Sequence, residues 1–89
     1  MIGIVETWGD WGTRVDRLDG IRLTAGELLA VQWPDGSLMT IEVELDYRTE
    51  PVSDMGHTYT AEVSLAQAVV DYHGVKARVP LTGLPARRV

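Results

Sequence analysis

The stretch Gly26 to Tyr47, GELLAVQWPDGSLMTIEVELDY, constrains the fold more than any other part of the chain. Two runs with period-two alternation flank residues suited to a tight reversal. In the second run Met39, Ile41, Val43, Leu45 and Tyr47 alternate with Thr40, Glu42, Glu44 and Asp46. Successive strand side chains point to opposite faces, so this arm is expected to have one buried and one wet side. In the first run Leu29, Val31 and Trp33 share a face, and Leu28, Ala30 and Gln32 form an opposite face that is less polar than an exposed strand shows. That arm is expected to be the more central of the two. Between them Pro34 presets φ, Asp35 can bond its own backbone and Gly36 can adopt the left-handed conformation of a bulged hairpin loop. Pro34 and Gly36 also argue against a helix here.

The rest of the chain follows the same grammar. Ile2 to Trp8 and Thr13 to Leu18 are expected to pair as a hairpin closed by Gly9, Asp10, Trp11 and Gly12, with Val5 on the face opposite Ile2, Ile4, Glu6 and Trp8. Asp19-Gly20 signals a turn. Arg48 to Gly56 lacks periodicity and contains Pro51 and Gly56, so it reads as a nine-residue loop. Tyr59, Ala61, Val63 and Leu65 alternate with Thr58, Thr60, Glu62 and Ser64 as a half-buried strand. At Leu65-Ala66 the apolar parity moves to Ala66, Ala68, Val70 and Tyr72, a phase change that a β-bulge or sharp bend produces. His73-Gly74 suits a two-residue turn, Val75 to Leu81 a further strand with Pro80 at an edge or end position, Thr82-Gly83-Leu84 a single tight turn, and Ala86 to Val89 a last short strand.

A chain of 89 residues buries a smaller share of its surface than a larger one, which makes self-association a live option. With no cysteine there is neither a disulfide framework nor a thiolate site. The N-terminus lacks a basic region followed by an apolar run, and no apolar run is long enough to span a bilayer, so a cytoplasmic protein is expected. The net charge of −5 is uneven: Leu23 to Asp71 carries −8, Tyr72 onward +4 and Met1 to Arg22 −1. A polyanion would be repelled by the acidic middle unless Lys76, Arg78, Arg87 and Arg88 met it alone, which makes nucleic acid a minority expectation. Acidic outward faces also keep strands soluble and discourage edge pairing.

Short strands joined by hairpins, with one tight turn before the last strand and no helix, describe a small antiparallel barrel. The chain resembles the Tudor and SH3-like superfamily in Gly26-Glu27 leading into Gln32-Trp33-Pro34-Asp35-Gly36, and in Ala68 to Gly74 followed by Ala77-Arg78-Val79-Pro80-Leu81 and Leu84. The resemblance runs from about Gly20 to Val89. It implies a five-stranded SH3-like barrel over 20–89, with residues 1–19 as an extra N-terminal strand or hairpin covering one opening. Tudor domains that take methylated lysine or arginine use an aromatic cage. By that resemblance Trp33 holds the cage tryptophan position and Tyr72 the aromatic before the second turn, while Met39 departs from the aromatic expected after the first. Packing of Trp33 and Tyr72 as lids on the core is the competing reading. The family's other use, an edge strand and open groove presented to a peptide or another protomer, does not need the cage.

Catalysis has little to rest on. Asp71 and His73 share a strand face, and Asp54 and His57 sit on or beside the loop, but no nucleophile or metal-ligand spacing accompanies either pair. Glu42, Glu44 and Asp46 face one way but diverge too much to complete a cation's shell. Trp8 and Trp11 flank the first turn. They complete the core if that hairpin folds on, with Trp11 the more exposed, or offer an apolar patch if it does not. The expected function is non-catalytic binding to a protein or peptide segment, or self-association, without a cofactor or metal. Its candidate contact residues are Trp11, Trp33, Met39, Asp54, His57 and Tyr72, with the Arg48 to Gly56 loop. The alternatives are a homo-oligomeric ligand binder or small enzyme with a pocket between protomers, and weak nucleic-acid binding by the basic C-terminal end.

Overall fold

The computed structural model describes residues 2–9 and 12–89. Among these the chain forms strands and no helix: β1 (Gly3–Gly9), β2 (Thr13–Leu18), β3 (Ile21–Arg22), β4 (Leu28–Gln32), β5 (Leu38–Glu42), β6 (Glu44–Asp54), β7 (His57–Tyr72), β8 (Val75–Pro80) and β9 (Pro85–Arg88). They make one sheet in the order β5-β4-β9-β1-β2-β7-β6, with β3 attached to β2 and β8 to β7. The sheet is mixed, because Thr13–Val15 of β2 runs parallel to Glu62–Ser64 of β7, and it is not closed, because β5 and β6 at the ends of the order do not pair. This all-β architecture differs in detail from the expected five-stranded antiparallel barrel. The N-terminal hairpin does not cover an opening: β1 and β2 lie mid-sheet and join β9 to β7.

The Gly26 to Tyr47 stretch forms the expected hairpin only as far as Val43. Leu29, Val31, Ile41 and Val43 are buried, as period two requires. The Val43 N–H donates to the Glu27 carbonyl and the Gly26 N–H to the Val43 carbonyl, which closes the β4–β5 pairing. From Glu44 the chain pairs with β7 instead. Tyr47, expected to face inward, is consequently 60% exposed.

The expected loop from Arg48 to Gly56 is strand for most of its length. β6 pairs residue by residue with β7 from Glu44↔Gln67 to Asp54↔His57, and only Met55 and Gly56 form the turn. Both have positive φ (48° and 82°), the geometry of a two-residue hairpin whose twist matches its strands. Pro51 does not break the ladder for a reason the register supplies. A two-residue turn makes Asp54↔His57 a hydrogen-bonded pair, and bonded pairs then alternate, so position 51 directs its nitrogen away from β7.

The parity change in β7 is real, but no bulge causes it. Ala61 and Val63 are buried on one parity, Ala66 and Ala68 on the other, and the β6 register continues unbroken between them. What changes is the neighbour on the other edge. Past Val15, β2 leaves β7. Asp16, 1% exposed, takes over with Oδ2, which accepts from the Ala66 N–H at 2.8 Å and from Thr82 Oγ1 at 2.9 Å; Oδ1 accepts from Thr7 Oγ1 at 2.6 Å. β8 then occupies the vacated edge, beginning where the Leu81 N–H donates to the Ala66 carbonyl.

The main core gathers Val5, Leu18, Leu23, Leu29, Val31, Ile41, Val43, Ala66, Ala68, Leu81 and Ala86, with Trp33, Leu45 and Leu84 packed at its margin. Each large aliphatic side chain buried there contributes about 1.5–3 kcal/mol. The rim is tied by Arg88. Its Nε pairs with Glu27, and its Nη1 and Nη2 donate to the Leu18 and Ile21 carbonyls at 2.9 and 3.0 Å.

Candidate functional site

Among the described residues the sheet has outer edges at the two-residue β3 and at three longer strands, β5, β6 and β8. Each of the longer three presents a row of backbone N–H and C=O groups, and each row can be identified from the hydrogen-bond phase. In β5 the Trp33 N–H donates to the Ser37 carbonyl and the Val43 N–H to the Glu27 carbonyl, so odd positions bond inward. Leu38, Thr40 and Glu42 therefore direct their backbone outward. In β6 the outward positions are 45, 47, 49, 51 and 53. In β8 the even positions 76, 78 and 80 face out, because even residues of β7 bond toward β8.

The three edges differ in what stands at those positions. β6 places Pro51 there and β8 places Lys76, Arg78 and Pro80, residues that block strand addition by removing a donor or adding charge. β5 has no proline, and its only charged residue is Glu42. Its Leu38 is 60% exposed and Met39 48% exposed. Across the hairpin, Met39 stands opposite Val31 and lies diagonal to Trp33, on the core-side face. Trp33 is half-buried against the core, with its Nε1 buried and without a hydrogen-bond partner. In the turn beside them Asp35 Oδ1 accepts from the Ser37 N–H and Oγ at 2.9 and 2.6 Å, which holds its carboxyl below the ordinary aspartate value.

The other expected contact residues do not join this group. Asp54 and His57 flank the β6–β7 turn at one end of β7, and Tyr72 ends the same strand. The sixteen residues of β7 separate these ends. Trp11 lies outside the described residues. Asp71 serves its turn, with Oδ1 accepting from the Gly74 N–H at 3.1 Å, and His73 occupies that turn at φ 51°.

Two of the four C-terminal cations are engaged within the fold. Arg78 Nε donates to Glu44 Oε1 at 3.0 Å, and this bond holds the Glu44 carboxyl below its ordinary value against partial desolvation, with help from Gln67. Arg88 is held by Glu27 and two carbonyls. On β6, the Tyr47 hydroxyl donates to Glu62, which raises the phenol above its ordinary value. Among the described residues no helix is long and apolar enough to cross a membrane, and no three His, Asp or Glu side chains are grouped to hold a metal ion.

Comparison with protein-family models, with curated proteins and with solved structures returns no match to this chain.

Proposed function

We propose that the protein is a non-catalytic binding module that takes an extended segment along the outer edge of β5, and that the first such segment is β5 of a second copy. The observation that carries this reading is the contrast among the edges: of the three longer ones among the described residues, only β5 lacks a proline at its outward positions, and it carries exposed Leu38 and Met39. Strand addition draws its affinity from main-chain hydrogen bonds and its selectivity from alternate side chains. In a two-fold pairing centred on Thr40, Leu38 of each copy meets Glu42 of the other, and no like charges are opposed. The resemblance to Tudor and SH3-like barrels fits the same reading, since those modules present an edge strand and an adjoining groove. Trp33 and Met39 then form the floor beside the added strand.

Thr40→Pro tests the reading. It removes an outward N–H that β4 does not use, at the kind of position where Pro51 and Pro80 already stand. Sedimentation equilibrium is expected to show a concentration-dependent dimer for the native chain and a folded monomer for the variant. Leu38→Lys, which leaves the backbone unaltered, is expected to weaken the dimer in the same direction. A native chain that stays monomeric and takes no SLMTIE peptide would contradict the proposal.

A further inference from the structure

A concavity lies on β1, β2 and β3, away from the β5 edge. In the strand registers Glu6 stands opposite Arg17, and Arg17 opposite Arg22, so the three share one row across the sheet face. Trp8 stands opposite Val15 in the next row. Trp8, Thr13, Val15, Arg17 and Arg22, with Gly9, line a cavity of about 330 Å³, at the small end of the range for ligand sites. Val15 is buried while Trp8 is 54% exposed, and the Arg17 guanidinium carbon is 5.9 Å from the Trp8 ring centroid, within cation–π reach.

The charges of this row are unbalanced. Arg17 and Arg22 form a directly opposed pair of like charges, which weakens a sheet unless a counter-charge is supplied. Arg17 Nη1 donates to the Gly20 carbonyl at 3.1 Å, but its Nε is buried with no acceptor. Arg48, Arg78 and Arg88 each have a carboxylate within ion-pair distance, whereas among the described residues Arg17 and Arg22 have none, Glu6 included. Two guanidinium forks side by side are a natural receptor for an oxyanion.

We propose that this cavity binds the carboxylate or phosphate group of a small molecule, held between Arg17 and Arg22 with Trp8 as one wall. Glu6 lies in the same row, and Glu62 stands opposite Thr13 at the far margin. These two acids, in a chain of net charge −5, oppose a long polyanion and leave room for a compact one.

The test is a titration of the isotope-labelled full chain with inorganic phosphate, phenyl phosphate and benzoate, following the Arg17 Nε–H and Trp8 indole resonances. Both are expected to move at millimolar probe. Arg22→Gln is expected to weaken binding about tenfold through loss of one charged hydrogen-bond donor set, while Arg87→Gln leaves it unchanged. Tighter binding of phenyl phosphate or benzoate identifies an aryl-borne group as the source. Equal or tighter binding of inorganic phosphate identifies the free ion. The proposal is overturned if no probe moves Arg17, if Arg22→Gln binds as well as the native chain, or if a single-stranded oligonucleotide binds more tightly than every small probe.

Discussion

The edges of β5 and β6 lie at opposite ends of one sheet and present the same backbone chemistry, yet they are protected differently. β6 is the longer, with eleven residues against five, and would be the more hazardous template if open. It carries Pro51 within its length, directed outward, and its exposed face includes charges such as Arg48, which is paired to Asp46 and Glu50 at 3.8 and 2.9 Å. β5 is short, bears one acid and exposes Leu38 and Met39. An outward-directed proline is what β6 has and β5 lacks.

The largest expected effect removes the frame that both regions share. Asp16→Ala leaves the buried Ala66 N–H without its acceptor and frees Thr7 and Thr82, a loss of about 3–5 kcal/mol. Urea unfolding is expected to show it as a drop in midpoint, or as a chain that fails to fold. Next in size is a reversal of the comparison. Pro51→Thr restores an outward donor within β6, and light scattering is expected to show association beyond that of the native chain. An unchanged scattering profile would mean that proline is not what closes β6. The smallest effect concerns the tip of the β6–β7 arm. Met55 holds φ 48°, a conformation asparagine adopts more readily, so Met55→Asn is expected to stabilise by about 0.5–1 kcal/mol and raise the melting temperature by a few degrees.

Much of the fold was legible because period two speaks clearly when one face is buried, as at Leu29, Val31, Ile41 and Val43. It fell silent where pairing changed partner. Tyr47 keeps the parity of Ile41, but the strand has by then passed from β4 to β7, and the face it occupies is wet. Pro51 was misleading because sequence alone does not reveal which way a strand nitrogen points; the Met55-Gly56 turn fixes that phase from a distance. The parity change at Leu65-Ala66 was visible, while the change of neighbour that accompanies it, from β2 to β8 across the Asp16 carboxylate, was not. Asp16 did leave one trace: it shares parity with Leu18 on a strand whose apolar face is buried. Of the candidate contact residues, Trp33 and Met39 are together, whereas Asp54, His57 and Tyr72 are distributed to the ends of β7. Trp8 was expected to complete the core but stays half exposed; Val5, on the opposite face, fills that role. The Arg17–Arg22 row was hidden because it exists only once β2 and β3 are paired.

Amide hydrogen exchange tests the openness of β5 most directly. As protein concentration rises, or as SLMTIE peptide is added, the amides of Leu38, Thr40 and Glu42 are predicted to slow together, while the outward amides of Tyr47, Thr49 and Ser53 on β6 stay fast. Exchange at the three β5 positions that ignores both concentration and peptide, or slowing that appears on β6 instead, would contradict the account.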